Sequence, residues 1–216
     1  MSLFEGRDLV CVRGERTVFR RIGFALDDGQ ALVLRGSNGS GKSSLLRLMA
    51  GLLRPAAGSI DWDGQPVALD PEAHHYRIHY LGHLDAVKPA LTVCENLAFW
   101  SALSRGQARA APVRDALARF GLDRLGDIPA RMLSAGQRRR LALARLLAAP
   151  AALWLLDEPT VSLDTESTAV LAETLTQHLR DGGLAVIATH GELTLPGTID
   201  LDLDRAAALD FAEVLQ

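Results

Sequence analysis

Gly36-Ser-Asn-Gly-Ser-Gly-Lys-Ser43 follows the apolar run Ala31-Leu-Val-Leu34 and precedes the helix-forming Leu45-Leu-Arg-Leu-Met49, so the chain reads here as strand, glycine-rich loop and helix. Gly36, Gly39 and Gly41 open backbone conformations that side chains forbid. Successive N–H groups can then turn inward around a triphosphate at a helix N-terminus. Lys42 is placed to neutralise the outer phosphates, and Ser43 to offer its hydroxyl to Mg²⁺, a hard ion that takes oxygen ligands and keeps several waters. The candidate binding segment is Gly36, Ser37, Asn38, Gly39, Ser40, Gly41, Lys42, Ser43 and Ser44. A glycine-rich surface turn is the alternative, and it leaves the Lys-Ser pair and the flanking strand and helix unexplained.

The chain has 216 residues, enough for one medium domain or a core with a small lobe. Lys plus Arg total 23 against 26 Asp plus Glu, a net charge of −3 without the basic excess of a nucleic-acid binder, so no nucleic-acid partner is expected. Cys11 and Cys94 stand in no metal-like spacing and suit a reducing compartment. The acidic residues near Met1 do not fit a secretory signal. Leu141 to Leu156 is the most apolar stretch, but Arg145 and Pro150 interrupt it, so it cannot span a bilayer. Any membrane role needs spanning helices from another polypeptide.

Residues 3 to 35 and 58 to 69 alternate short apolar runs with turns such as Asp27-Asp-Gly29 and Asp63-Gly64, which predicts hairpins in a small antiparallel β lobe. A helix is expected over 43 to 53 and a strand over 76 to 81. From about 90 to 148 the pattern turns helical, broken at Gly106, Pro112, Gly121 and Pro129, and Thr92-Val-Cys-Glu95 has capping-box spacing for a helix that carries Leu97, Ala98 and Trp100 or nearby residues inward. Leu153-Trp-Leu-Leu156 and Leu184-Ala-Val-Ile-Ala-Thr189 read as buried parallel strands joined through a helix at 165 to 180. Ile199, Leu201 and Leu203 alternate with aspartates as in an edge strand. Three segments are expected: a nucleotide-binding core with its β lobe over 1–83, a helical subdomain over 84–147, and the second part of the core over 148–216.

Asp157 and Glu158 end the first buried strand, where a parallel sheet offers its ligand crevice. Asp157 is placed to hold Mg²⁺; Glu158, turned the other way by strand alternation, is placed to take a proton from an attacking water. Leu133-Ser-Ala-Gly-Gln137 has the capping-box pair Ser134 and Gln137 and opens a helix able to bind an anion. Taken alone, this is an ordinary capped helix, with Arg138, Arg139 and Arg140 an ordinary solvated face.

Gly36 to Ser43, Leu133 to Gln137, Leu153 to Glu158, Ser162-Leu-Asp164 and His190 stand in the order found in ATP-binding-cassette (ABC) ATPases, which the chain resembles over nearly its whole length. The resemblance implies an α/β P-loop NTPase fold, an ABC-type nucleotide-binding domain with a β lobe and a helical subdomain, and ATP with Mg²⁺ as cofactors. It makes Ser134, Ala135, Gly136 and Gln137 the signature segment, Asp164 part of the loop between sites, and His190 a switch residue on the γ-phosphate. A buried structural histidine is the alternative for His190. It further implies a head-to-tail dimer of two copies, each phosphate loop facing the other's signature segment.

Three positions depart from the family pattern. His83 stands where a glutamine usually follows the strand, Arg13 where an aromatic usually stacks on adenine, and Ala135 where the signature usually has glycine, which requires φ < 0 there. His74, His75 and His79 invite a metal or haem reading, against which the strand expected over 76–81 separates them. With Lys88-Pro-Ala-Leu-Thr92 and Glu95-Asn-Leu97, the chain resembles the CcmA-type ATPases of cytochrome c maturation. That implies a peripheral location on the cytoplasmic face of the bacterial inner membrane, a polytopic CcmB-type partner and further haem-handling subunits. The ATPase of another importer or exporter, a soluble non-transport ABC ATPase and a non-hydrolysing nucleotide sensor are the alternatives.

Overall fold

The computed structural model describes residues 3–103, 113–191, 193 and 195–205. The described chain opens with a hairpin, β1 (Leu3–Arg13) and β2 (Arg16–Asp27), whose Phe4, Leu9, Phe19, Ile22 and Leu26 are buried while Arg7, Asp8, Arg13, Arg20 and Arg21 are exposed. β3 (Ala31–Arg35) leads through the glycine-rich loop into α1 (Lys42–Met49), and a second hairpin follows, β4 (Ala57–Trp62) and β5 (Gln65–Pro66), around Asp63-Gly64. The antiparallel sheet β2-β1-β4-β5 is the expected β lobe, except that residues 31–35, expected within it, pair with parallel strands from the far part of the chain.

The next segment departs from expectation. Asp70 accepts a hydrogen bond from Ala73 N (3.0 Å) and Pro71 takes the first helical position, so a short helix, α2 (Pro71–Arg77), precedes a strand shortened to β6 (Ile78–Leu81). His74 and His75 therefore lie on a helix and His79 on a strand. His74 Nε2 lies 2.8 Å from Met49 O and His79 Nδ1 lies 3.2 Å from Ala149 O, so both buried rings are bound to backbone carbonyls. Among the described residues no group of three or more His, Cys, Asp or Glu is arranged to hold a metal ion.

The helical subdomain contains α3 (Val93–Leu103), α4 (Val113–Arg119) and α5 (Ala135–Ala148), which pack on one another. Thr92 and Glu95 form the expected reciprocal cap. The inward face of α3 is Val93, Asn96 and Leu97; Ala98 is exposed and Trp100 half-buried, its ring under the Arg145 guanidinium at 4.1 Å. Asn96 accepts from Lys88 N (2.8 Å) and donates to Lys88 O (3.0 Å) and Thr92 O (2.9 Å), clamping the segment before the helix. Gly106 and Pro112 lie outside the described residues.

β7 (Leu153–Asp157), α6 (Thr165–Arg180), β8 (Leu184–Ala188) and β9 (Thr198–Asp202) complete the chain. A five-stranded parallel sheet has the order β6-β7-β8-β3-β9. β7 and β8 are buried at every position, as uninterrupted apolar strands must be, and β9 is the half-exposed edge. One apolar cluster joins the β lobe, α1 and one face of this sheet; the other joins the helical subdomain, α6 and the opposite face. No helix of the described residues is long and apolar enough to cross a membrane.

His79 makes the fold acid-sensitive. Its contact to a carbonyl requires the proton on Nδ1, leaving Nε2 to accept from Arg145 Nη2 at 3.4 Å. Burial, reinforced by the Arg145 charge, pushes the imidazole down to about 3, and burial also lowers His74 and His178. The unfolded ring takes a proton near its ordinary value of about 6.5. Stability from the neutral ring is therefore complete above that pH and is lost as pH falls toward the folded value. At about pH 5.5 one such group costs about 1.4 kcal/mol, or roughly 3–5 °C in Tm for a chain of this size. Thermal melts from about pH 7 to 5.5 should show that fall, and His79→Gln should flatten it; equal slopes would dismiss the role of His79.

Candidate functional site

All five parallel strands point their carboxyl ends to one side, and the chemistry gathers there. The glycine-rich loop leaves β3, Gly82-His83 leaves β6, Glu158 leaves β7 and Thr189-His190 leaves β8. They enclose a cleft of about 640 Å³. The β1–β2 hairpin lends Arg13, Arg16 and Val18; the loop lends Asn38, Gly39 and Gly41 to Ser44; the strand ends lend His83, Asp157, Glu158, Val161 and His190. Arg16, Val18 and Val161 are additions that sequence reading missed. A larger cleft of about 960 Å³ between the ends of α5 and α6 contains none of these residues.

The loop is shaped for an anion. Gly36, Gly39 and Gly41 have φ of 136°, 86° and 109°, and a Cβ on Gly41 would come within 2.8 Å of Val18 and Phe19. Lys42 is buried, and its Nζ donates to Gly36 O (2.8 Å) and Ser37 O (2.9 Å), so the cation is held beneath the loop. Gly36, Ser37 and Ser40 form the back of the loop and do not line the cleft. There Asp204 accepts from Ser37 N (2.6 Å) and Ser37 Oγ (3.0 Å), bracing the loop from a residue read in sequence only as an edge-strand acid. Ser43 Oγ donates to Asp157 Oδ1 at 3.1 Å. A hydroxyl and a carboxylate side by side beneath a phosphate cradle form an oxygen donor set that fits Mg²⁺, with water and phosphate oxygens left to complete its shell.

Glu158 occupies its place for a reason other than strand alternation. The strand ends at Asp157, and Glu158 turns out of it with a left-handed φ of 48°. Both carboxylates therefore line the same cleft. Glu158 N donates to Ala188 O (2.8 Å), and its Oε2 accepts from His190 N (3.3 Å), while His190 Nε2 stands 3.5 Å from Oε1. The His190 side chain is 48% exposed, which disposes of the buried-histidine reading.

Residues 133–137 lie apart from this cleft. Ser134 Oγ accepts from Gln137 N (3.2 Å) and Gln137 Oε1 accepts from Ser134 N (2.8 Å), the full capping box at the start of α5, with Ala135 in ordinary helical geometry. Ser134 and Ala135 are exposed; Gly136 presses on the next loop, where a Cβ would stand 2.9 Å from Ser162 O. Asp164 caps α6, its Oδ1 accepting from Ser167 N (2.7 Å), and the Ser167 hydroxyl and amide hold its carboxyl below the usual range. It does not line the cleft. The arginine run is not a solvated face: Arg139 is buried and Arg138 and Arg140 are half-buried.

Residues 19–161 match the family described as ABC transporter. The chain belongs to that family. This ABC chain is 56% identical over 211 residues, 97% of both chains, to the cytochrome c biogenesis ATP-binding export protein CcmA of Paramagnetospirillum magneticum. Among solved structures it resembles the ATP-binding subunit of an ABC transporter, with a TM-score of 0.79 at 26% identity, covering 87% of this chain and 79% of the other. It also shares its fold, with a TM-score of 0.74 at 23% identity and coverage of 87% and 88%, with an ATP-binding cassette solved as a dimer in a post-hydrolysis state with ADP and Pi.

Proposed function

We propose that this chain is the ATP-hydrolysing subunit of a membrane ABC transport complex for c-type cytochrome biogenesis, driving haem export or release of a haem chaperone. The observation that carries the ATPase reading is Glu158, set between Asp157 and His190 at the mouth of a cleft floored by the phosphate loop. The relative named CcmA supports the biological assignment.

In this reading the loop amides and Lys42 bind the β- and γ-phosphates, while Ser43 and Asp157 hold Mg²⁺ with help from His83. A bound Mg²⁺ supplies charge neutralisation at the transferring phosphoryl group. Glu158 accepts the proton of the attacking water, and His190 donates a hydrogen bond to the γ-phosphate and keeps the carboxylate aimed. Arg13 and its neighbour Arg16 offer guanidinium planes to the adenine in place of an aromatic ring. Ser134 to Gln137, outward-facing at a helix N-terminus, and Asp164 serve the nucleotide of a second copy paired head to tail. ATP then closes the pair and hydrolysis opens it, a two-state motion that a CcmB-type polytopic subunit, with further haem-handling subunits, converts into work at the cytoplasmic face of the bacterial inner membrane.

Affinity purification of the tagged chain from solubilised membranes tests the assignment. A polytopic membrane protein should accompany it in stoichiometric amount, together with Mg-dependent ATP hydrolysis. Recovery of the chain wholly in the soluble fraction, with no membrane partner, would reject it.

A further inference from the structure

Arg139 lies in the second turn of α5 and is 4% exposed, yet its guanidinium reaches two separate segments around the site. Nη2 donates to Asp157 O (2.9 Å) and Glu158 O (2.6 Å), and Nε to Pro159 O (3.2 Å). Nη1 donates to Asp85 Oδ1 (2.9 Å) and, at a longer 3.4 Å, to Gly82 O. Arginine has five N–H donors in a rigid fork, and here each has a partner. Three of those partners are consecutive carbonyls of the turn in which Glu158 adopts φ of 48°, a conformation that a non-glycine residue holds only when its surroundings impose it. Glu158 N is tied to Ala188 O, so Arg139 supplies the second tether that aims this side chain at His190.

We infer that Arg139 is a positioning residue for hydrolysis: it fixes the backbone turn that presents Glu158, and ties that turn both to the helix of the signature segment and to the Gly82–Asp85 loop carrying His83. The inference rests on the ATPase reading above. Arg139 does not line the cleft, reaches Asp157 and Glu158 only through their backbone carbonyls and bonds no residue of the phosphate loop, so its effect belongs to turnover and not to nucleotide binding.

Steady-state Mg·ATP hydrolysis by the full chain tests this. Lys in place of Arg139 keeps the charge but offers one nitrogen where the fork offers three, so Arg139→Lys should lower kcat about tenfold or more with KM for ATP changed by less than about threefold. Asp85→Ala frees one arm of the fork without burying a new group, and should lower kcat about threefold with KM again unchanged. In a Glu158→Gln background, Arg139→Lys should add less than about twofold, because residues acting as a unit are not additive. Undiminished kcat in both single variants, a KM that rises in step with the loss, or the same fold-loss repeated beside Glu158→Gln overturns the inference. A wild-type chain whose Mg-dependent hydrolysis is absent, or is untouched by Glu158→Gln alone, overturns the ATPase reading and the inference with it.

Discussion

Glu158→Gln is expected to bind Mg·ATP normally, to lose roughly 10²-fold or more in turnover, and to accumulate as a nucleotide-held dimer. The amide keeps the size of the carboxylate and can still accept from His190 N, so the turn and the cleft survive the change. It loses the ability to take a proton from water. Asp157, the other acid of the pair, is buried and accepts from Ser43 Oγ, so it offers no substitute. Phosphate release under saturating ATP and size-exclusion chromatography with nucleotide measure the two effects. Unchanged hydrolysis would remove Glu158 from the chemistry, and a monomer at saturating ATP would remove the clamp.

Lys42→Ala should have a comparable effect by another route. Its ammonium lies 2.8 and 2.9 Å from the carbonyls of Gly36 and Ser37, so the substitution takes away an internal brace of the loop as well as the charge facing the phosphates. Charge-assisted hydrogen bonds are worth roughly 1.5–3 kcal/mol each, and tenfold in affinity is about 1.4 kcal/mol. Loss of two such contacts to phosphate predicts ATP affinity lower by about 10²-fold or more. A titration with fluorescent ATP reads this directly. In a strain carrying only this variant, c-type cytochromes should lack haem; normal cytochrome c levels would refute the assignment to their biogenesis.

The local features of the site were legible because each is written in adjacent residues. A phosphate loop, the Ser134–Gln137 box, and the apolar runs of β7 and β8 all depend on neighbours within a few positions, and each formed as the spacing predicts. What escaped depends on distant partners or on backbone angles. Arg138, Arg139 and Arg140 look alike in a string, and only the packing of α5 against the Asp157–Pro159 turn distinguishes the middle one. Asp204 is separated from Ser37 by 167 residues. Strand alternation does not reach Glu158, because β7 ends at Asp157, and its left-handed φ carries no sequence mark in a residue other than glycine. At α2 the Asp70 cap and Pro71 were available signals, overridden by the strand pattern that follows them.

Among the described residues, β3, which carries the glycine-rich loop, hydrogen-bonds only to strands drawn from the far part of the chain, β8 on one side and β9 on the other. During synthesis the ribosome adds about 5–20 residues per second. The loop thus emerges many seconds before the strands that flank it, and Asp204 later still. The sheet around β3 accordingly cannot close until translation has passed β9, nor can the Asp204 brace form before residue 204 is made.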